Sequence, residues 1–182
     1  LQSNMEAVAK NATIHSTDAT DAQTYVLVIG ESTNRNRLSL YGYPRDTNPR
    51  LQEIRHELLV YNDVVANIPY TIESLSSTLT FTPPEKYNEA YRAMNVITMM
   101  KKAGFKTFWI TNQQTLTHRN TMLTAFAKLT DEPTFLNNNR RQSANSYDEV
   151  VLKPFADALS DNAKRKLIVV HLIGTHFAYE YR

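Results

Sequence analysis

TYVLVIGEST, Thr24 to Thr33, decides the fold, because an apolar run there ends in a glycine and an acid. A second stretch, KLIVVHLIGTHF from Lys166 to Phe177, also passes from an apolar run through a glycine into polar residues. Continuous apolar runs are typical of parallel strands covered on both faces, and open α/β sheets bind ligands at the carboxyl ends of such strands. We therefore predict two central strands whose carboxyl ends carry functional residues.

Helical and strand-like patterns alternate between these two strands. This alternation predicts an α/β fold in which helices cover both faces of a sheet. Gly104 is expected to end one of the helices. The expected helices cover residues 70–81, 90–104, 121–129 and 146–159, the further strands residues 58–66 and 106–111, and the loops residues 80–87 and 131–146.

The start of the chain differs in composition from the rest. Residues 1–22 are polar and small and show no period, so we interpret them as a flexible lead-in. Residues 23–182 are interpreted as the ordered domain. The start also lacks the basic and apolar regions of a signal peptide, and no apolar run approaches the roughly 18 to 20 residues of a membrane span. We expect the chain as given to be soluble.

Composition excludes some kinds of site and partner. The 20 basic and 18 acidic residues leave a net charge of +2, which gives no argument for a nucleic-acid partner. The chain has no cysteine, so it can form neither a disulfide nor a thiolate metal site.

Glu31 and His176 are candidate site residues because each follows a predicted central strand. The carboxylate of Glu31 suits a cation ligand or a general base, and equally an ion-pair partner of Arg35 or Arg37. His176 lies past the glycine of the second strand, where imidazole suits zinc or a phosphate oxygen. His171 lies inside the second strand, which favours a buried histidine hydrogen-bonded to the main chain.

Thr71 stands where the segment NIPY passes into a helical pattern, so it is the expected N-cap of that helix. A hydroxyl at this position also lies where the helix dipole and main-chain N–H groups favour anions. Thr71 is therefore a candidate nucleophile, although threonine needs a metal or a base beside it. Together with Glu31 it supplies two possible zinc ligands, whereas catalytic zinc generally has three protein ligands.

Three segments closely resemble one family, the phosphoethanolamine transferases of Gram-negative inner membranes. They are VLVIGESTNRNRLSLYGYPRDTNPRL, NIPYTIESLSSTLTF and VVHLIGTHFAYEYR, at residues 26–51, 67–81 and 169–182. This family belongs to the sulfatase and alkaline-phosphatase superfamily. The motifs GESTNR, FWITNQQT and LKPF are most similar to the sequences of the CptA type, which modifies the lipopolysaccharide core.

The resemblance implies a role for each matching residue. Glu31 and Thr71 would bind a catalytic zinc ion, and Thr71 would take phosphoethanolamine from phosphatidylethanolamine as a covalent intermediate. His176 would contact the substrate phosphate or a second metal. Asn112 and Gln113 fall near a pair of substrate-contacting asparagines.

The resemblance also implies a location and an acceptor. A catalytic domain facing the periplasm would be tethered to the inner membrane by an N-terminal region. The acceptor would be lipopolysaccharide, at a core sugar or phosphate rather than at lipid A. The branch of the family that modifies lipid A carries disulfides, whereas this chain has no cysteine. The added group would weaken the binding of cationic antimicrobial peptides.

The family has further zinc ligands, an Asp–His pair and another histidine, downstream of the motif GTHFAYEYR. We therefore expect a C-terminally truncated sulfatase/alkaline-phosphatase-like sheet that is inactive and binds zinc poorly in isolation. Two alternatives stay open. One is a hydrolase of the same superfamily, a sulfatase or phosphodiesterase, although sulfatases use a modified cysteine. The other is a non-catalytic binding fragment.

Overall fold

The structure, a computed structural model, describes residues 1–14, 21–114, 121–139, 145–177 and 179–181. In this part of the chain the strands are β1 (Gln23–Ile29), β2 (Lys106–Gln114), β3 (Glu132–Asn137) and β4 (Arg165–His171). They form a parallel sheet in the order β1-β4-β2-β3. The predicted central position of β4 is confirmed, but that of β1 is wrong, because in this sheet β1 is an edge strand on which Val26 and Val28 are exposed. An apolar run alone does not distinguish an edge strand from a central one.

Six α-helices accompany the sheet in the described residues: α1 (Gln2–Asn11), α2 (Pro49–Glu53), α3 (Thr71–Thr78), α4 (Val96–Lys102), α5 (Thr121–Leu129) and α6 (Leu152–Leu159). Short 3-10 helices cover Arg35–Arg37, Ser39–Tyr41, Arg55–Glu57, Pro84–Arg92, Asp148–Val151 and Tyr179–Tyr181. No helix in these ranges has the length and apolar character that a membrane crossing requires.

Alternate residues of the central strands supply an apolar core on each face of the sheet. On one face, Trp109 of β2 belongs to a cluster with Ile97 of α4 and Phe126 of α5. On the other face, Ile110 of β2 clusters with Ala158 of α6. Burial of such large side chains contributes about 1.5 to 3 kcal/mol each. The predicted α/β fold with helices on both faces is confirmed.

The chain divides into two compact units, Ser32–Asn67 and a larger unit of Leu1–Glu31 with Ile68–Arg182. The smaller unit is held by local contacts. Thr47 Oγ1 donates a hydrogen bond of 2.7 Å to the carbonyl of Arg37, whose guanidinium lies 5.5 Å from the centre of the Tyr43 ring. Arg35 donates to the carbonyl of Asn62.

Two predicted segments differ from the structure in type. Residues 58–66 were expected to form a strand, but the structure gives them no regular secondary structure. Asn62 and Asp63 interrupt the apolar pattern there, and both residue types are depleted in strands. Residues 131–146 were expected to form a loop, yet they contain β3. Pro133 misled the prediction, because proline is tolerated at the edge of a sheet, where β3 lies.

Two predicted helices are composite. The pattern over residues 90–104 is the end of a 3-10 helix followed by α4, because Asn95 caps a new helix by accepting a hydrogen bond of 2.9 Å from the Thr98 N–H. Gly104 ends α4 as expected, with a φ of +84°. Residues 146–159 begin irregularly, pass through a 3-10 turn and continue as α6.

The segment interpreted as a lead-in is partly helical. Helix α1 covers Gln2–Asn11, and Met5 on this helix is fully buried in the core cluster that contains Trp109. A single apolar anchor on a short polar helix gives little periodic signal, which explains why the composition did not reveal it. Residues 15–20 of the same segment lie outside the described residues.

Candidate active site

The parallel register brings three strand ends together. Ile29 of β1 and Thr111 of β2 both pair with His171 of β4. Residues that follow these positions therefore emerge at the same edge of the sheet. They include Glu31 after β1 and Gln113 at the end of β2.

Glu31 and Thr71 meet at this edge although 40 positions separate them along the chain. Thr71 Oγ1 donates a hydrogen bond of 3.0 Å to Glu31 Oε2. Glu31 is buried, with 7% of the residue exposed. A buried carboxylate that accepts a hydroxyl hydrogen orients that hydroxyl and can receive its proton.

Thr71 is the first residue of α3 rather than its N-cap. Tyr70 occupies the cap position, so the predicted capping role of Thr71 is wrong. The Thr71 hydroxyl makes its hydrogen bond across to Glu31. The start of α3 still favours negative charge near Thr71, because main-chain N–H groups and the helix dipole point that way.

Gln113 joins Glu31 to the end of β4. Its Nε2 donates a hydrogen bond of 3.2 Å to Glu31 Oε2 and one of 2.6 Å to the carbonyl of Leu172. Glu31 Oε2 thus accepts from a hydroxyl and from an amide. Gln113 therefore lies beside Glu31 and Thr71, and its contact with the substrate stays a prediction.

His176 lies on the turn that follows β4, and its ring rests on the ring of Phe177, with 4.3 Å between the ring centres. The N–H of His176 donates to the carbonyl of Ile173 at 2.9 Å, which closes the turn. In the described residues no hydrogen bond joins the imidazole to Glu31 or Thr71. Thr175, the residue before it, donates its hydroxyl hydrogen to the main-chain carbonyl of Glu31.

Asn112 faces away from this pair. It is 1% exposed, its Nδ2 donates a hydrogen bond of 3.0 Å to Asp148 Oδ1, and its Oδ1 accepts one of 2.7 Å from Ser146 Oγ. The structure therefore brings Gln113 to Glu31 and Asn112 to Asp148. Sequence reasoning missed Asp148 and Ser146. The one signal for Asp148 was its place as an acid near the start of a helical pattern, and Ser146 had none.

His171 is buried, as predicted, and is 1% exposed. Burial lowers the pKa of its imidazole to about 4, against the opposing effects of the Glu31 and Asp148 charges. Its Nε2 has no hydrogen-bond partner among the described residues. The ring borders a cavity of about 10 Å³ that is also lined by Trp109 and Phe135, which is roughly the space of one water molecule.

Glu31 and Thr71 fit part of a zinc site. A carboxylate oxygen and a hydroxyl oxygen are suitable zinc ligands, and here they are 3.0 Å apart. Across the part of the chain that the structure describes, no three His, Cys, Asp or Glu side chains lie close enough to hold one metal ion. The described donor set is thus two ligands of a centre that generally uses three from the protein.

Comparisons with known proteins identify the relatives of this chain. The chain is 54% identical over 166 residues to phosphoethanolamine transferase EptC of Escherichia coli (strain K12), covering 89% of this chain and 29% of that protein. It is 52% identical over 171 residues to phosphoethanolamine transferase CptA of Salmonella typhimurium, covering 92% and 29%. The chain thus spans less than a third of the length of these relatives. The resemblance stated from the motifs is confirmed.

A solved structure gives the same result. The C-terminal periplasmic domain of EptC from Escherichia coli, in complex with zinc, superposes with a TM-score of 0.85 and 52% identity, covering 92% of this chain and 48% of that chain. A model of the sulfatase family matches residues 23–182. This chain belongs to the sulfatase family.

Proposed function

We propose that this chain is part of the catalytic domain of a zinc-dependent phosphoethanolamine transferase in which Thr71 is the nucleophile. The observation that carries the proposal is the 3.0 Å hydrogen bond from Thr71 Oγ1 to Glu31 Oε2. Two relatives named as phosphoethanolamine transferases, at 54% and 52% identity, support the assignment of the transferred group.

The first step forms a bond between Thr71 Oγ1 and the phosphorus of phosphatidylethanolamine. The bond from phosphorus to the diacylglycerol oxygen breaks. Glu31 Oε2, which already accepts the hydroxyl hydrogen, takes the proton of Thr71, and this proton passes on to the departing diacylglycerol oxygen, which leaves Glu31 ionised. Thr71 then carries phosphoethanolamine as a covalent intermediate.

The second step passes phosphoethanolamine to an oxygen of the acceptor and restores the Thr71 hydroxyl. The acceptor is lipopolysaccharide, at a core sugar or phosphate rather than at lipid A. Addition of the group offsets anionic charge at the cell surface, which weakens the binding of cationic antimicrobial peptides. A superfamily hydrolase would instead use water in this step and release free phosphoethanolamine.

Zinc would be held in part by Glu31 and Thr71, and when bound it supplies electrostatic stabilisation of developing negative charge. The zinc in the related EptC domain structure supports this cofactor. Gln113 positions the Glu31 carboxylate through its 3.2 Å hydrogen bond. His176, on the turn at the same edge, contacts the substrate phosphate.

The proposed location is the bacterial inner membrane, with this domain facing the periplasm and an N-terminal region providing the membrane tether. The related EptC structure is described as a periplasmic domain, which supports the location. A lipid donor such as phosphatidylethanolamine is available at that membrane surface.

The test uses the longer protein that contains this chain, incubated with phosphatidylethanolamine and analysed by mass spectrometry. We expect a phosphoethanolamine mass increment on the wild type and none on Thr71→Ala. Thr78→Ala is the matched control, because Thr78 is an exposed threonine at the other end of α3. It should retain the increment. An adduct that persists in Thr71→Ala would contradict the proposal.

A further inference from the structure

The turn after β4 is held by a carboxylate from a distant part of the chain. Asp148 Oδ2 accepts a hydrogen bond of 2.7 Å from the Gly174 N–H, and Oδ1 accepts one of 3.0 Å from the Ile173 N–H. Asp148 stands at the start of the 3-10 helix that precedes α6. Two consecutive main-chain donors on one carboxylate fix the direction in which the chain leaves β4.

The same carboxylate is tied to the end of β2. Asp148 Oδ1 accepts a further hydrogen bond of 3.0 Å from Asn112 Nδ2, and Ser146 Oγ donates to Asn112 Oδ1 at 2.7 Å. Asn137 Nδ2 donates to the Asn112 carbonyl at 3.1 Å. Asn112 and Asn137 are buried, at 1% and 2% exposure, whereas Asp148 and Ser146 are half-buried, so an unpaired group would be most costly at Asn112.

On its other side the turn is tied to the candidate active site. Leu172 N–H donates to the Ile29 carbonyl at 2.9 Å, Gln113 Nε2 donates to the Leu172 carbonyl at 2.6 Å, and Thr175 donates to the carbonyl of Glu31. The turn thus lies between Asp148 and Glu31. Any shift of the turn away from Asp148 moves the hydrogen-bond partners of Gln113 and Glu31.

Gly174 leaves the space that this arrangement requires. A Cβ atom at Gly174 would lie 2.9 Å from Asp148 Oδ2, which is closer than carbon and oxygen approach without displacement. Gly174 has no positive φ in the structure, so the close approach of the carboxylate is the physical reason for glycine here.

We propose that Asp148 is a positioning residue for phosphoethanolamine transfer. It sets the turn from Ile173 to His176, and through that turn it places His176 and Gln113 for the substrate phosphate without touching the substrate. This inference rests on the proposed function. A carboxylate is needed because three N–H donors converge on it, whereas an amide would turn an NH₂ group toward at least one of them.

The test follows single-turnover formation of the Thr71 adduct in the longer protein, and it records the rate constant separately from the amplitude. Asp148→Asn should lower the rate constant about 10- to 100-fold, because small displacements of positioned groups have effects of that size. The amplitude should stay at the wild-type value. A merely structural role would lower the amplitude, through loss of folded protein, and leave the rate constant unchanged.

Asn112→Asp places a second carboxylate against Asp148 and should slow the reaction similarly. The double variant Asn112→Asp/Asp148→Asn again pairs one acid with one amide, with the direction of the hydrogen bond reversed. We expect its rate constant to exceed that of either single variant about 10-fold. Glu149→Gln is the matched control, since Glu149 is the exposed neighbouring acid, and it should react as the wild type does.

A wild-type rate constant in Asp148→Asn, or a double variant no faster than the slower single variant, would overturn the inference. If Asp148→Asn does not fold, Ser146→Ala replaces it, because this variant removes only the hydroxyl that donates to Asn112. It should lower the rate constant about 2- to 10-fold, as expected for one hydrogen bond, and an unchanged rate constant would overturn the inference. Absence of the adduct in the wild type would overturn the proposed function itself. A wild type that forms the adduct, with variants that react at its rate, would overturn only the inference about Asp148.

Discussion

Two carboxylates, Glu31 and Asp148, lie on opposite sides of the turn that follows β4. Glu31 accepts hydrogen bonds from the side chains of Thr71 and Gln113, at 3.0 and 3.2 Å. Asp148 accepts from the main chain at Gly174, at 2.7 Å, and from the buried side chain of Asn112. The partners of Glu31 include a hydroxyl that can react, whereas the partners of Asp148 are N–H groups that only hold geometry.

This difference shows how one residue type is used in two ways. A carboxylate paired with a hydroxyl at a helix start can accept a proton and can bind a cation. A carboxylate that accepts from main-chain N–H groups holds them in place, since a change to its charge or shape leaves those donors without acceptors. The comparison predicts that matched amide substitutions at the two positions differ in size and kind.

Glu31→Gln should give the largest effect. The substitution removes the negative charge and leaves only one side-chain oxygen to accept from Thr71. Loss of a positioned proton acceptor lowers rates about 100- to 10,000-fold. The measurement is the rate constant of Thr71 adduct formation, beside that of Asp148→Asn. A smaller loss of rate in Glu31→Gln than in Asp148→Asn would contradict the assignment of Glu31 as the reacting carboxylate and Asp148 as the positioning one.

Gly174→Ala should give an intermediate effect, on stability. The added methyl group would meet Asp148 Oδ2 at 2.9 Å, and overpacking of this kind costs about 1 to 3 kcal/mol. The free energy of unfolding, from denaturant titration, measures it. The cost should be smaller in an Asp148→Ala background, where the oxygen is absent. Equal costs in the two backgrounds would show that the carboxylate does not require the glycine.

The smallest expected effect is the pH dependence of stability that His171 contributes. The charges of both Glu31 and Asp148 act on this imidazole. Burial lowers the pKa of His171 from its ordinary 6.5 to about 4, so the unfolded chain binds a proton first as the pH falls. The stability associated with neutral His171 is complete above pH 6.5 and is lost as the pH falls toward 4. The loss between pH 7 and pH 5.5 should be about 1 kcal/mol.

The matched variant is His171→Gln, which cannot titrate in this range. Denaturant unfolding at the two pH values should show a weaker pH dependence for the variant than for the wild type. The same dependence in both proteins would mean that the folded and unfolded states bind the His171 proton equally. In that case burial would not lower the pKa of the His171 imidazole.

The Glu31 side of the comparison was largely predictable from the sequence, and the Asp148 side was not. An apolar strand that ends in a glycine and an acid places Glu31 at the sheet edge by local pattern alone. The start of the helix at Thr71 was also visible, although Tyr70 takes the cap position. Their hydrogen bond needed only that β1 ends and α3 begins at the same edge of the sheet.

The contacts of Asp148 depend on where a segment packs across the sheet, and periodicity carries no information on that. Asn112 was expected at the substrate beside Gln113, yet adjacent residues of a strand point to opposite faces. Gln113 therefore reaches Glu31 while Asn112 reaches Asp148. The strand β3 was missed for a related reason, because Pro133 is compatible only with an edge position that the sequence does not specify.

The most direct test of Thr71 as the nucleophile is to locate the phosphoethanolamine group within one peptide. Thr71 and Ser74 both lie in the first turns of α3, and the hydroxyl of Thr71 donates a hydrogen bond to Glu31 Oε2. After reaction of the longer protein with phosphatidylethanolamine, fragmentation mass spectrometry of the peptide that contains both residues assigns the modified oxygen. We expect the group on Thr71, and its presence on Ser74 with Thr71 unmodified would show that Thr71 is not the nucleophile.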